Sequence, residues 1–406
     1  MYMNILIITE NFFPFVEPTA KIVERLTKSE SFKDSNFIII SKGNIKKTFS
    51  LSENIVNYQM ESHYRFSKNV IRNLKTFFYK TLSVIYSFFF PRDLIDYRRY
   101  FKLGKKIISN NRIDFILAVS GWFSSQMAAN LLFKKFNVPF YCWYTDPFLF
   151  NVSKSKYPLL KLKKIELKWL KNAELVFLPN NYLDYYNSMP NYFNQKFKRL
   201  ELPCFFSSSE LQIIQSSKQE KIMLHAGSFS SKFRDPKKLF EVAKVIELKS
   251  DFIFSCLGQL DRKLKKKYLN KIPNNTFFKD RVDSVNLLKE IGKASILILV
   301  DNYSGIQIPS KLFEYISTGK PILFFYSNTA SESLKFLSKY PICLCIHDDE
   351  NINDELIEKI LNLANNVQSH FDTKDHELMI GKYENSYIFN LMHELIINDL
   401  DLIPKL

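Results

Sequence analysis

Two charged side chains one helical turn apart, Lys311 and Glu314, carry the clearest chemistry in this sequence. They stand in the stretch GIQIPSKLFEYISTGKPILFF, residues 305–325. A lysine in the first turn adds a point charge to the positive end of a helix, and together the two suit a diphosphate. A carboxylate three residues on, on the same face, accepts hydrogen bonds from a vicinal diol such as a ribose. The same spacing also describes a solvated i,i+3 pair on an ordinary helix, and spacing alone leaves both readings open. A second candidate stretch runs from Gly227 and Ser228 to Arg234, Asp235 and Pro236. Gly227 would let backbone amides approach a phosphate and Arg234 would clamp it, against the alternative of a surface arginine at a helix start.

These residues need a scaffold, and the apolar runs supply one. Residues 296–300 and 321–325 are short and β-branched or aromatic enough to be buried strands. Between them lies a helix, with Ile308 and Pro309 leading in, Ser310 at the N-cap and Gly319-Lys320-Pro321 as its stop. A strand, loop, helix and strand make an α/β unit, whose ligands bind at the carboxyl ends of the strands. The alternation recurs along the chain. Strands are expected at 4–9, 36–40, 113–119, 139–144 and 175–179, the last of the first half, with a helix at 20–26 and Thr19 as its turn and N-cap. Residues 54–65 show neither period. In the second half, strands are expected at 222–226, 252–258 and, as an edge, 276–280, with a helix at 237–248; beyond Tyr340 the chain reads as helical and acidic. A Ser- and Gln-rich break at 204–221 divides the chain into a first domain, 1–203, a linker, a second domain, 222–380, and a closing helical segment, 381–406.

Composition sets bounds. At 406 residues with 46% hydrophobic content the chain can bury two full cores. Five scattered cysteines and six histidines, without a CxxC or HxxxH pair, predict neither a disulfide framework nor a protein-held metal. The first residues lack a basic region and a cleavage site, and no window of about 18 apolar residues predicts a membrane span. The formal charge of +16 is uneven: residues 65–112 hold 12 Lys or Arg against two Asp, whereas residues 345–406 hold 4 Lys against 13 Asp or Glu. One face should therefore meet something anionic. Residues 68–90 have helical periodicity with cations on the polar side, which fits either a surface seated on anionic lipid or a helix packed on the sheet. Residues 154–171, with seven lysines and Glu166, fit either a solvated face or a second lipid contact.

PSKLFEYISTGKPIL resembles the nucleotide-sugar signature of the large retaining family of GT-B glycosyltransferases (bacterial glycosyltransferase family 4-like, group 1). In that family a Glu on this helix holds the donor ribose and a nearby Lys or Arg its pyrophosphate; a second Glu lies eight positions earlier, where this chain has Ile306. The stretch from Gly227 to Arg234 resembles the family's glycine-containing phosphate loop, and the loop at Arg281 and Val282 its backbone pocket for the nucleobase. WYTDPF resembles the strand end beside the reacting sugar, which makes Asp146 the candidate for handling the acceptor hydroxyl.

The fold class implied is α/β, with two Rossmann-like domains facing a cleft (GT-B) and a C-terminal helix, 383–397, crossing back to the first domain. The function implied is transfer of a sugar from a nucleotide-sugar, expected to be a UDP-sugar, to a saccharide or lipid-linked saccharide acceptor in surface polysaccharide synthesis. Asp146, Arg234 and Lys311 are the catalytic candidates. Gly227, Ser228, Arg234, Arg281, Val282, Ile308, Pro309, Ser310, Lys311 and Glu314 are the candidates for binding the donor, with no metal and no cofactor. The expected setting is cytoplasmic, peripheral on an anionic membrane face, without nucleic acid. A sugar-nucleotide epimerase of the same fold, and a basic protein that binds nucleic acid or membrane without catalysis, are the alternatives.

Overall fold

The structure, a computed structural model, describes residues 2–13, 18–43, 47–61, 96–119, 123–145, 159–187, 196–280, 282–365 and 381–402. The chain divides into two compact units, Met1–Pro203 with Asn385–Leu406, and Cys204–Glu384. Asp146, Arg281 and residues 68–90 lie outside the described residues.

The first unit is built on an eight-stranded sheet. Its strands are β1 (Asn4–Thr9), β2 (Asn36–Gly43), β3 (Lys47–Ser52), β4 (Ile55–Glu61), β5 (Phe115–Val119), β6 (Phe140–Trp143), β7 (Val176–Leu178) and β8 (Phe197–Arg199). They lie in the order β3-β4-β2-β1-β5-β6-β7-β8, parallel except where β3 pairs antiparallel with β4. Central strands of a parallel sheet are covered on both faces and read as continuous apolar runs, as NILIIT and FILAV do. The edges read differently. β3, KTFSLS, is polar and largely exposed, so neither it nor its partner β4 carries an apolar signature. At the other edge β8 follows β7, so residues 175–179 do not form the last strand of this half; a three-residue edge strand is too short to show a period.

The helices of this unit are α1 (Pro18–Thr27), α2 (Tyr97–Asn110), α3 (Phe123–Phe136), α4 (Leu159–Leu170) and α5 (Asn180–Asn187), closed by the long C-terminal helix of the chain. Helix α1 begins at Pro18, a residue suited to a first turn, so Thr19 is inside the helix and not its N-cap. In α4 the lysines Lys164 and Lys168 face outward, while Trp169 and Leu170 join the core cluster of this unit. Glu166 turns inward and is 1% exposed, its Oε1 accepting hydrogen bonds from the Tyr144 and Tyr186 hydroxyls at 2.8 and 2.9 Å. From Ile165 to Leu170 the inner side of this lysine-rich segment is therefore core.

The second unit holds β9 (Glu220–His225), β10 (Ile253–Leu257), β11 (Thr276–Lys279), β12 (Ala294–Val300), β13 (Ile322–Tyr326) and β14 (Cys343–His347). Its helices are α6 (Ser208–Gln215), α7 (Lys237–Ile246), α8 (Arg262–Lys267), α9 (Ser284–Lys293), α10 (Ser310–Ile316), α11 (Glu332–Leu337) and α12 (Asp354–Asn365). The sheet is parallel in the order β11-β10-β9-β12-β13-β14. Counted within the unit that is 3-2-1-4-5-6, the doubly wound order whose direction reverses between β9 and β12. Residues 204–221 are not an open linker: Ser207 and Glu210 form a capping box that starts α6. Nor is the chain beyond Tyr340 only helical. β14, CLCIH, pairs with β13 along its whole length, its mixed composition hiding an edge strand.

Helix α13 (Asn385–Leu402) belongs to the first unit, as the expected return of the C-terminal helix requires. It packs on the short 3-10 turn Glu30–Phe32, with the Phe32 and His393 rings edge to face at 5.1 Å, and Phe389 against Trp143. The Tyr141 hydroxyl donates to Asp399 Oδ2 at 2.8 Å. Met392 and Ile396 are fully buried. Met392→Ala should lower the unfolding free energy by about 2–5 kcal/mol, the cost of an unfilled core site, measured by urea denaturation followed at the tryptophans.

Candidate functional site

The reversal of strand order between β9 and β12 places two strand ends side by side, one leading to Gly227, Ser228 and Arg234 and the other to Ile308–Glu314. On the β9 side, His225 ends the strand and Ala226, Gly227 and Ser228 leave it. The Ala226 N–H donates to the Tyr315 hydroxyl at 3.0 Å, which fastens this turn to α10. Gly258, at the end of β10, has φ +154°, and a Cβ there would meet the Gly227 carbonyl oxygen at 2.3 Å. Only a glycine lets the two loops approach this closely. The loop then folds on itself. Phe229 N–H donates to Gln259 O, and Ser230 pairs with Arg234. Asp261 accepts from the Leu264 and Ser231 N–H groups and from the Ser231 and Ser230 hydroxyls, which hold its carboxyl at about 2. The serines of this loop are thus committed to Asp261, and Ser228 Oγ to the Gln259 N–H.

Arg234 is half-buried beside Gly227; a Cβ at Gly227 would stand 3.9 Å from its Nη1. Its Nη2 donates to Asn302 Oδ1 at 2.8 Å, and Asn302 in turn donates to the Gln307 carbonyl. Burial works against charge on Arg234, and Asp301 next to Asn302 works for it. Asp301 itself is buried and its carboxyl is pushed up, although the Ser331 and Ser333 hydroxyls hold it at 2.5 and 3.0 Å.

On the β12 side the chain turns at Gly305, φ +65°, and enters α10. The helix starts one residue earlier than Ser310 as N-cap would have it. Pro309, at φ, ψ of −62°, 132°, is the N-cap and Ser310 the first helical residue, and no side chain caps the first turn because proline carries no acceptor. Lys311 and Glu314 form a close ion pair, and Glu314 is only 5% exposed. A solvated pair on an ordinary helix face does not fit a carboxylate buried this far. Gly319, φ +66°, ends the helix, and Lys320 donates to the carbonyls of Gly292 and Ala294, capping α9. Ile308 is half-buried and Pro309 buried at the helix start, and Val282 is 36% exposed before α9.

The sequence reading missed His225. Its ring is 2% exposed and stacks on Phe229, 4.3 Å between centroids. Nδ1 lies 3.1 Å from the Ile298 carbonyl, which can only accept, so Nδ1 carries the proton and Nε2 offers a lone pair. Burial first, then the Arg234 and Lys311 charges, push its pKa down to about 3. The Arg234 and Lys311 charges both act on this ring, and a Cβ at Gly227 would stand 3.2 Å from His225 Nε2 and 3.9 Å from Arg234 Nη1. The supporting roles of Tyr315, Asn302 and Asp301 were also missed: Tyr315 holds the Ala226 backbone, Asn302 orients Arg234 and Asp301 favours its charge, and nothing in a single sequence marks that. Among the described residues no three His, Cys, Asp or Glu side chains cluster to hold a metal ion.

No family model matches the chain, and no curated protein matches it by sequence. Solved structures do match it over their full length. A glycosyltransferase from Rickettsia africae ESF-5 is 14% identical with a TM-score of 0.61, covering 99% of both chains. The fold is GT-B. HepE of Anabaena, solved in complex with UDP, is 11% identical with a TM-score of 0.58 over 98% of this chain and 100% of its own. A UDP-N-acetylglucosamine 2-epimerase has the same fold at 11% identity and a TM-score of 0.55, over 99% of this chain and 97% of its own. Likeness at this level establishes architecture for this GT-B chain and leaves its chemistry to the site.

Two outcomes follow from this geometry. Gly258→Ala should destabilise the protein by about 1–3 kcal/mol through overpacking against Gly227, seen as a lower thermal midpoint. His225 has its pKa lowered on folding, so the unfolded chain binds the extra proton between pH 6.5 and about 3 and stability falls as pH drops through that window. His225→Gln should flatten that part of the stability profile, measured by urea unfolding between pH 7 and pH 4.

Proposed function

We propose that this GT-B chain transfers a sugar from a nucleotide donor, a UDP-sugar, to a saccharide or lipid-linked saccharide acceptor in the synthesis of a surface polysaccharide. The observation that carries the reading is that Arg234, beside Gly227 after β9, and the Lys311 pair with the buried Glu314 on α10 stand on the segments that leave β9 and β12, where the strand order of the second sheet reverses, joined by the Ala226–Tyr315 hydrogen bond. Open parallel sheets bind ligands there. Arg234 and Lys311 would carry the diphosphate, and the peptide groups of Gly227 and Ser228 would lie against it. Glu314 would accept from the ribose hydroxyls, and the backbone at Arg281 and Val282 would flank the base. Asp146 would handle the acceptor hydroxyl. Stabilising the departing diphosphate by preplaced cations needs no protein-held metal and no covalent nucleophile. The product would keep the donor's anomeric configuration if the departing phosphate takes the acceptor proton on the same face.

The likeness to a 2-epimerase keeps one rival, which turnover of UDP-N-acetylglucosamine without any acceptor would reveal. Among the described residues no helix is long and apolar enough to cross a membrane. The 12 Lys or Arg of residues 65–112 support a peripheral seat on anionic lipid, on the cytoplasmic face.

If the donor is held this way, Glu314→Ala should weaken UDP binding by about 2 kcal/mol in calorimetry, since hydrogen bonds to a charged group contribute about 1.5–3 kcal/mol. An unchanged UDP affinity in a folded variant would remove the ribose assignment. Arg234→Ala and Lys311→Ala should cut turnover and UDP affinity while uridine, which has no phosphate, binds as before; equal loss for both ligands would mean that these residues hold the fold. Replacing Arg72, Lys75 and Lys80 together by Gln should release the protein from anionic vesicles at low salt without changing UDP affinity.

A further inference from the structure

Helix α8 and the turn after it, residues 262–272 of the second unit, gather cations for which no carboxylate is left. Leu264 and Tyr268 turn into the core cluster of the unit, so Arg262, Lys263, Lys265, Lys266 and Lys267 fall on the outer side, and Lys271 follows them into solvent. Lys267 pairs with Asp235, and among the described residues the other cations make no ion pair. Exposed lysines elsewhere in the unit do find carboxylates: Lys221 has Asp251, Lys249 has Asp354 and Lys359 has Glu355. Here the nearby carboxylates are already taken. Asp261 accepts from the Leu264 and Ser231 N–H groups, Asp235 holds Lys267 and the Tyr268 hydroxyl, and Glu247 accepts from the Asn274 N–H and side-chain amide.

Helix stability does not account for this charge. Lys265, Lys266 and Lys267 suit the negative end of a helix dipole, but Arg262 and Lys263 stand in the first turn, where a cation works against it. Aliphatic side chains protrude among the cations. Leu269, beside the left-handed Asn270 at φ +62°, is 70% exposed, and Ile272 is also exposed. The bonds from Asn274 to Glu247 bring in Leu248, 84% exposed. The combination selects the partner. A nucleic-acid strand is met by cations and by aromatic rings that stack on its bases, whereas the aromatic of this segment, Tyr268, is buried. A bilayer with anionic headgroups uses both features: the cations stay among the phosphates while the aliphatic side chains enter the acyl boundary. We propose that residues 262–272, with Leu248 beside them, form a seat for anionic phospholipid on the second unit, separate from residues 65–112. The seat is independent of the nucleotide reading.

The test is sedimentation of the full-length protein with vesicles of phosphatidylglycerol and phosphatidylcholine at low salt. Each cation at an anionic surface contributes about fivefold to partitioning, so Lys263→Gln, Lys266→Gln and Lys271→Gln together should lower the partition coefficient about a hundredfold. Circular dichroism of this triple variant should match wild type, because the three side chains are exposed and unpaired among the described residues. Leu269→Trp reports on the seat itself. Its emission, taken as the difference from wild type, should shift to the blue when these vesicles are added and be quenched by brominated acyl chains. The variant that replaces Arg72, Lys75 and Lys80 by Gln, run alongside, separates this surface from the one in the first unit: the Leu269→Trp shift should persist when it is combined with those changes. A wild type that stays in solution, a triple variant that sediments as wild type does, or a Leu269→Trp emission that does not shift each overturns the proposal. So does tighter binding of wild type to a duplex oligonucleotide than to the vesicles, lost in the triple variant, since the surface would then be a nucleic-acid contact.

Discussion

The hydrogen bond from the Ala226 N–H to the Tyr315 hydroxyl is the fastening on which the candidate site depends. A chain leaving a parallel sheet must find a partner for each buried N–H it takes out of the ladder, or bear the cost of an orphaned donor. Here the partner is a fully buried phenol on α10, whose pKa burial pushes upward, so it stays a neutral hydroxyl. One bond therefore ties the glycine turn after β9 to the helix that follows β12. Because Tyr315 adjoins Glu314 in sequence, the carboxylate's position is coupled to the loop that presents Arg234. His225 ends β9 just before this turn, and its neutrality follows first from burial and then from the Arg234 and Lys311 charges.

Around that fastening, carboxylates are spent on hydroxyls and peptide N–H groups. Asp261 gathers the serines of the glycine loop, and Asp301 is held by Ser331 and Ser333. The guanidinium of Arg234 is oriented by a neutral amide, Asn302, and among the described residues it makes no ion pair. Asn302 fixes direction without cancelling charge, which suits a cation preplaced for an anion that forms during reaction. A carboxylate in place of Asn302 would hold Arg234 just as firmly and leave it less charge to offer.

The parts of the fold that sequence revealed are those where one physical signal dominates. β1, β5, β12 and β13 are buried on both faces, so their apolar runs are unbroken, and Gly319 marks the end of α10 because its positive φ suits a glycine. What escaped has mixed signals. β3 and β4 form a half-exposed hairpin, β8 is three residues long, and β14 interleaves Cys and His with Leu and Ile. Lysines in α4 drew attention to its outer side, although Glu166 and Trp169 on the same helix are core. At the site, Lys311, Glu314, Gly227 and Arg234 were legible because their residue types suit direct contact with a phosphate or a diol. His225, Tyr315, Asn302 and Asp301 act on backbone groups or on other side chains, and only the strand order that brings β9 beside β12 makes them neighbours.

The first sheet also reverses direction, between β1 and β5, yet its electrostatics differ. At the carboxyl ends of β1 and β2, Lys42 Nζ lies 2.6 Å from Glu10 and 3.0 Å from Asp96, all three nearly buried. Burial disfavours its charge, but Tyr100 and the two carboxylates outweigh that and hold Lys42 firmly protonated. One cation bracketed by two carboxylates has no charge left for an anion, and opening the cluster to bind one would expose a buried carboxylate without its partner. In the second unit Arg234 rests on a neutral amide and Lys311 has a single carboxylate beside it. Both sheets reverse direction, so strand order alone does not favour either of them as the seat of the proposed diphosphate. The distribution of carboxylates around the cations does, and it favours the second.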